Sequence, residues 1–112
     1  MPRVTILDTG NTIDGENQAR AWSYERPDLY VDTDGIRDLL GSKTITDKLV
    51  LAIRDTIIIK ALRSNRNIIV GGNNNQLEQI ERIAEVVEAQ DLIDRQNGEE
   101  EKVKYSWKVK RF

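Results

Sequence analysis

The chain contains no cysteine and no histidine. Those two absences exclude a disulfide framework, a thiolate nucleophile, an imidazole base and a Cys/His zinc centre. No apolar run approaches the ~18 residues of a membrane span, and no charged-then-apolar leader marks a signal peptide. There is no internal repeat and no linker long enough to divide the chain. No charge sign dominates either: 17 basic residues stand against 19 acidic ones, for a net charge of −2. That balance argues against a nucleic-acid binder driven by bulk charge and against an acidic disordered chain. What is left is one soluble, cytoplasmic domain over residues 1–112, with a single core and no metal site expected.

What the chain does have is an apolar run, Val4-Thr5-Ile6-Leu7, followed at once by Asp8-Thr9-Gly10-Asn11-Thr12-Ile13-Asp14-Gly15-Glu16-Asn17. Strand, Gly-rich turn, helix is how a phosphate-binding loop begins, and Gly10-x-x-x-x-Gly15 has the P-loop spacing. The next two positions reverse its chemistry. A P-loop places Lys there for the terminal phosphates and Ser or Thr for Mg²⁺; this chain has Glu16 and Asn17. An anion where a cation should meet a polyphosphate is repulsive.

The remaining pattern alternates strands and helices. Gly15 to Glu25 reads as a helix ended by Pro27, and Leu29-Tyr30-Val31 as a second short strand. Thr33 or Asp34 can cap a short helix running to Leu40, with Gly41 as its stop. Thr46 opens what reads as the longest helix, Asp47 to about Asn65. Leu49, Val50, Ile53, Ile57, Ile58, Ala61 and Leu62 form its apolar face, with Lys48, Arg54, Lys60 and Arg63 outside. Asn67 to Val70 is a third strand, closed by Gly71-Gly72-Asn73-Asn74-Asn75. A further helix carries Leu77, Ile80, Ile83, Ala84 and Val87 inward, with Arg82 among its outward residues. The last segment alternates: Val103, Tyr105, Trp107 and Val109 face one way as core, and Lys102, Lys104, Lys108 and Lys110 mostly face the other. The fold class expected is α/β, a small three-layer parallel sheet of about four strands.

Three blocks together resemble the P-loop kinase domain of polynucleotide kinases and their zeta-toxin-like relatives. They are the first strand with its Gly10…Gly15 loop and Ala19-Arg20-Ala21-Trp22; Tyr30-Val31-Asp32-Thr33-Asp34-Gly35-Ile36-Arg37-Asp38-Leu39-Leu40; and the run from Ala61 to Asn74. The resemblance covers most of residues 3 to 90 and implies a truncated P-loop kinase-like fold. It implies Asp34 as the base for an acceptor hydroxyl and Arg37 as a substrate-phosphate ligand. It places Gly10, Gly15, Glu16 and Asn17 in a degenerate nucleotide loop, and Gly72 and Asn73 at the family's Asp-Thr. The family's basic lid would follow the fourth strand, and the sequence ends at Phe112. With cradle, metal ligand and lid altered, the expectation is a catalytically inactive, phage-encoded binding or regulatory module without cofactor, engaging a protein partner. The alternative is a nucleotide- or nucleic-acid-binding protein with residual phosphoryl transfer using ATP and Mg²⁺.

Several residues carry two readings. The Gly10 to Asn17 loop is a residual nucleotide site, or a helix start at which Glu16 favours the positive end. Asp8-x-Gly10-Asn11-Thr12-Ile13 also resembles the first motif of haloacid-dehalogenase-type phosphatases, with Asp8 as nucleophile. Asp32 and Asp34 share a cation, or cap a helix. Arg37 binds an anion, or pairs with Asp34. Gly71 to Asn75 is a tight turn or part of a site. Lys102, Lys104, Lys108, Lys110 and Arg111 contact nucleic acid or a partner, or guard an edge strand; that edge is also compatible with a homodimer.

Overall fold

Four short apolar runs become strands and the segments between them become helices. The computed structural model describes residues 1–41, 44–72, 76–99 and 101–112. In chain order the elements are β1 (Arg3–Asp8), α1 (Ile13–Tyr24), β2 (Leu29–Asp32), α2 (Thr33–Leu40), α3 (Asp47–Arg63), β3 (Ile68–Gly71), α4 (Gln76–Gln96) and β4 (Ser106–Arg111). The strands form one sheet in the order β2-β3-β1-β4, every neighbouring pair parallel. Asn73, Asn74 and Asn75, expected to close β3, lie outside the described residues.

Side-chain oxygens start three of the helices. Thr12, Asp32 and Thr46 each accept the backbone N–H three residues on, from Gly15, Gly35 and Leu49. The cap of α2 is therefore Asp32, one residue before the Thr33 or Asp34 expected. Asp32 is the last residue of β2 and still extended, so its carboxylate reaches the Gly35 N–H at 2.5 Å. Gly41 ends α2 in the left-handed region, at φ 64°, where glycine has no Cβ to clash. The longest helix is α4, with 21 residues to the 17 of α3.

Alternation sorts the strand residues into two faces. Val4, Ile6, Val31, Ile68 and Val70 point to one side, where Ile36 of α2, Val50, Ile58 and Leu62 of α3 and Ile83 and Val87 of α4 cover them. Burying each such side chain contributes about 1.5–3 kcal/mol. Leu7 and Ile69 point to the other side, against Ala19, Trp22 and Phe112. Three helices thus cover one face and α1 the other, as right-handed crossovers require of this strand order. The layers are helix, sheet, helix.

Expectations about six side chains are corrected. Arg54 does not face water; it is wholly buried. It sits one turn from Val50 and one turn from Ile58, in the middle of the stripe of α3 that meets the sheet and α4. Its Nε and Nη2 donate to Asp55 Oδ1 at 3.2 and 2.8 Å, and Nη1 donates to Gln79 of α4. Arg82, also expected outside, turns its Nε on to the other oxygen of Asp55 at 2.9 Å. Trp107 is 53% exposed rather than core, and Leu77 is 67% exposed. Helix α4 lies over β1 and β4 is the edge strand, so the outer flank of Trp107 has no layer above it. Leu49 and Ile57 are likewise exposed, because the apolar face of α3 is wider than the surface it covers.

A second polar cluster ties the chain after α4 to the body. Asp91, 8% exposed, accepts Arg63 Nη2 at 2.9 Å and the Val103 N–H at 3.2 Å. Asp94 and Glu99 pair with the same guanidinium. Among the described residues no helix is long and apolar enough to cross a membrane.

Candidate functional site

In an open parallel sheet, ligands bind outside the carboxyl ends of the strands, where neighbouring strands send their connections to opposite faces. Here that place lies between β1 and β3: the chain leaves β1 over the α1 face and leaves β3 over the α4 face. A crevice of about 280 Å³ opens there. One wall is Glu16, Ala19 and Arg20 of α1, the other is Tyr30, Asp32 and Asp34, and Leu7, Thr9, Gly71 and Gly72 close it. Asp34 thus lines the crevice.

The loop that should cradle phosphate is only four residues long, Thr9 to Thr12, because α1 begins at Ile13. It is closed on itself. The Gly10 N–H donates to Asp8 Oδ1 at 3.0 Å. The Thr12 N–H and hydroxyl both donate to the Thr9 carbonyl, at 3.4 and 3.2 Å, and the Gly15 N–H donates to Thr12 Oγ1 at 2.9 Å. Gly10 and Asn11 take φ of 63° and 58°, the left-handed geometry the turn needs. A P-loop aims its N–H groups outward at phosphate; at Gly10, Thr12 and Gly15 this loop spends them inward. Gly15 is fixed by the same packing, since a Cβ there would lie 2.0 Å from the Thr9 carbonyl oxygen. Asn17 is exposed and does not line the crevice.

Tyr30 and Asp32 point the same way from β2, and the tyrosine hydroxyl donates to Asp32 Oδ2 at 2.8 Å. Burial, and then that bond to a carboxylate, push the Tyr30 hydroxyl well above its ordinary pKa, so it remains a donor at any physiological pH. Gly71 is glycine because the hydroxyl passes over it: a Cβ would sit 2.5 Å from the oxygen. Asp32 is thus spent as helix cap and as acceptor. Among the described residues the crevice presents Glu16, Asp32 and Asp34 against one cation, Arg20.

Arg37 lies elsewhere. Its Nη1 donates to the Ile45 carbonyl at 3.0 Å and its Nη2 pairs with Asp47. It pins the α2–α3 connection instead of meeting Asp34 or the crevice. Asp8 is occupied by the Gly10 turn and stands 3.7 Å from Arg111. The five C-terminal cations do not share a face. Lys102 and Lys104 lie at the amino ends of the strands, beside Met1 and Arg63. Lys108 and Lys110 hold their ammonium groups 6.0 and 5.9 Å from the centre of the Trp22 ring, which Arg26 also covers at 4.5 Å. Among the described residues no group of three or more carboxylates is placed to hold a metal.

No protein-family model matches the chain, and no characterised protein matches it by sequence. Among solved structures there is a match, described as the structure of a Pnkp1/Rnl/Hen1 complex. The two folds superpose with a TM-score of 0.60 at 16% identity, over 96% of this chain and 35% of that one. The likeness is one of fold. The chain spans about a third of the length of the protein it resembles.

The sequence missed Arg20, Tyr30 and the Trp22 cluster. Arg20 follows Glu16 by four residues, one helical turn, and Tyr30 precedes Asp32 by two, one strand period. Both spacings were available to find them. Trp22 meets Lys108 and Lys110, 86 and 88 residues further along the chain, and nothing local announces that.

Proposed function

We propose that the chain is a catalytically inactive P-loop kinase-like protein that works as a binding or regulatory module on a protein partner. The observation that carries this is the state of the switch-point crevice, where the loop donors are turned inward and Glu16, Asp32 and Asp34 face the place a polyphosphate would take. A carboxylate about 5 Å from a phosphate charge repels it by about 3 kcal/mol at an effective dielectric constant of about 20. Phosphoryl transfer depends on neutralising that charge. Arg37, engaged with Asp47, supplies no cation. The resemblance to a component of a multi-protein complex supports a partner-binding role.

The alternative is a nucleotide- or nucleic-acid-binding protein with residual polynucleotide-kinase-like activity using ATP and Mg²⁺. Asp34 in the crevice favours it, as a base for an acceptor hydroxyl. Titration with ATP and Mg²⁺, beside an assay for phosphorylation of a nucleic-acid 5′-hydroxyl, separates the two. The proposal expects neither binding nor transfer by the wild type. Transfer by the wild type at a rate abolished by Asp34→Ala overturns it.

A further inference from the structure

Resting on the binding-module reading, we propose that the outer edge of β4 takes up an extended segment of a partner protein, with carboxylates along one side and apolar residues along the other. Three observations converge there. First, among the described residues the edge is open. The Ser106 N–H donates to the Pro2 carbonyl and the Phe112 N–H to that of Asp8, so even-numbered residues of β4 bond to β1. By strand alternation the N–H and C=O groups of Trp107, Val109 and Arg111 point away from the sheet, ready to pair with an added strand.

Second, the two sides of this edge differ in chemistry. On the α4 side a groove of about 480 Å³ runs along Trp107, Val109, Leu77 and Ile80, with Gln76, Asp8 and Arg111 completing its lining. Trp107 and Leu77 are 53% and 67% exposed, which leaves a large apolar surface in water. On the α1 side stand Lys108 and Lys110. Among the described residues neither forms an ion pair; their ammonium groups rest near Trp22, and that of Lys110 also lies 5.5 Å from the Phe112 ring. A strand laid beside β4 would place its alternate residues against these two sides in turn, apolar over Trp107 and Val109, acidic beside Lys108 and Lys110.

Third, the same lysines select the occupant. A second copy adding antiparallel to this edge would bring Lys108 and Lys110 opposite their own counterparts, and like charges directly opposed destabilise the pair. Lysines on an edge turn away apolar and basic strands and still admit one that carries carboxylates. The charge pattern therefore favours a partner over a dimer.

The test uses the intact protein and two synthetic peptides of alternating Val and Glu or alternating Val and Lys, titrated by calorimetry and by two-dimensional NMR. The Glu peptide is expected to bind about tenfold more tightly than the Lys peptide, with shifts confined to β4, Leu77 and Ile80. The Lys108→Glu, Lys110→Glu double variant is expected to reverse that order. Val109→Pro removes an outward N–H and no bond to β1, so it is expected to abolish binding while urea unfolding stays cooperative; should it fail to fold, the charge reversal decides alone. No binding of the Glu peptide at millimolar concentration overturns the proposal, as does a preference that ignores the lysines. Self-association that Val109→Pro dissolves overturns it in favour of a second copy. Tighter binding of a single-stranded oligonucleotide at the same lysines, falling steeply with salt, overturns it in favour of nucleic acid. None of these readouts involves ATP, so failure here leaves the reading of the crevice standing, and failure of that reading is seen only in the nucleotide titration.

Discussion

Replacing Gly15 with alanine pits helix propensity against the closed loop, and the two predict opposite signs. Gly15 is the third residue of α1, and in an open helix alanine is the better residue by about 0.5–1 kcal/mol. Here the new Cβ would lie 2.0 Å from the Thr9 carbonyl oxygen, 2.8 Å from Thr12 Oγ1 and 2.9 Å from the Thr9 carbonyl carbon. Two of these atoms are backbone, so the turn itself must open by more than an ångström. Opening it loses the Thr12 cap, about 1 kcal/mol, and the two hydrogen bonds to the Thr9 carbonyl, about 1 kcal/mol each. After subtracting the propensity gain, Gly15→Ala is expected to destabilise by about 2 kcal/mol. In urea, with a slope of about 2 kcal/mol per molar, the midpoint should fall by about 1 M. A midpoint that stays or rises would refute the closed loop and restore one able to open around a phosphate.

The other predictions concern groups that the fold has committed. Asp55→Ala leaves the wholly buried Arg54 without the carboxylate that holds two of its nitrogens, and should cost about 3–5 kcal/mol by urea unfolding, whereas Arg82→Ala, at the half-exposed end, should cost far less. Equal losses would show that the cluster is not organised around Arg54. Asp91→Ala removes the acceptor of Arg63 and of the Val103 N–H; a loss of about 2–3 kcal/mol and faster amide exchange in β4 are expected, and unchanged exchange would show that Asp91 does not tether the strand. Tyr30 is harder to ionise folded than unfolded, so its contribution is complete below about pH 10 and declines as pH rises past that value, where the unfolded chain releases the proton first. In an absorbance titration Tyr30 should ionise above the ordinary tyrosine range, and Tyr30→Phe should flatten the alkaline loss of stability; identical curves for the two proteins would discard the bond to Asp32.

The layer architecture and the four parallel strands were legible because apolar runs, glycine stops and the helix start at Thr46 are local signals. The crevice was half legible. Asp34 was singled out through the family resemblance and Glu16 from its position in the loop, but the state of the loop was not legible, because a GxxxxG spacing is equally compatible with donors turned out or in. The helix start at Ile13 decides that, and Thr12 as cap was its sequence mark. Arg37 was misjudged because its partner, Asp47, lies ten residues on and belongs to the next helix. Arg54 was misjudged by residue type: its place in the stripe between Val50 and Ile58 pointed inward, and only the tertiary pairing with Asp55 and Gln79 makes a buried guanidinium tolerable. Trp107 was expected in the core because alternation gives a face, not the extent of the layer above it.

The most direct test of the account is calorimetric titration of the wild-type protein with ATP and Mg²⁺. The closed loop and the Glu16, Asp32 and Asp34 wall predict no binding heat at nucleotide concentrations up to about 1 mM, equivalent to a binding free energy weaker than about −4 kcal/mol. Saturable binding with a dissociation constant in the micromolar range, lost in Gly15→Ala or Asp34→Ala, would contradict the account and make the crevice a nucleotide site.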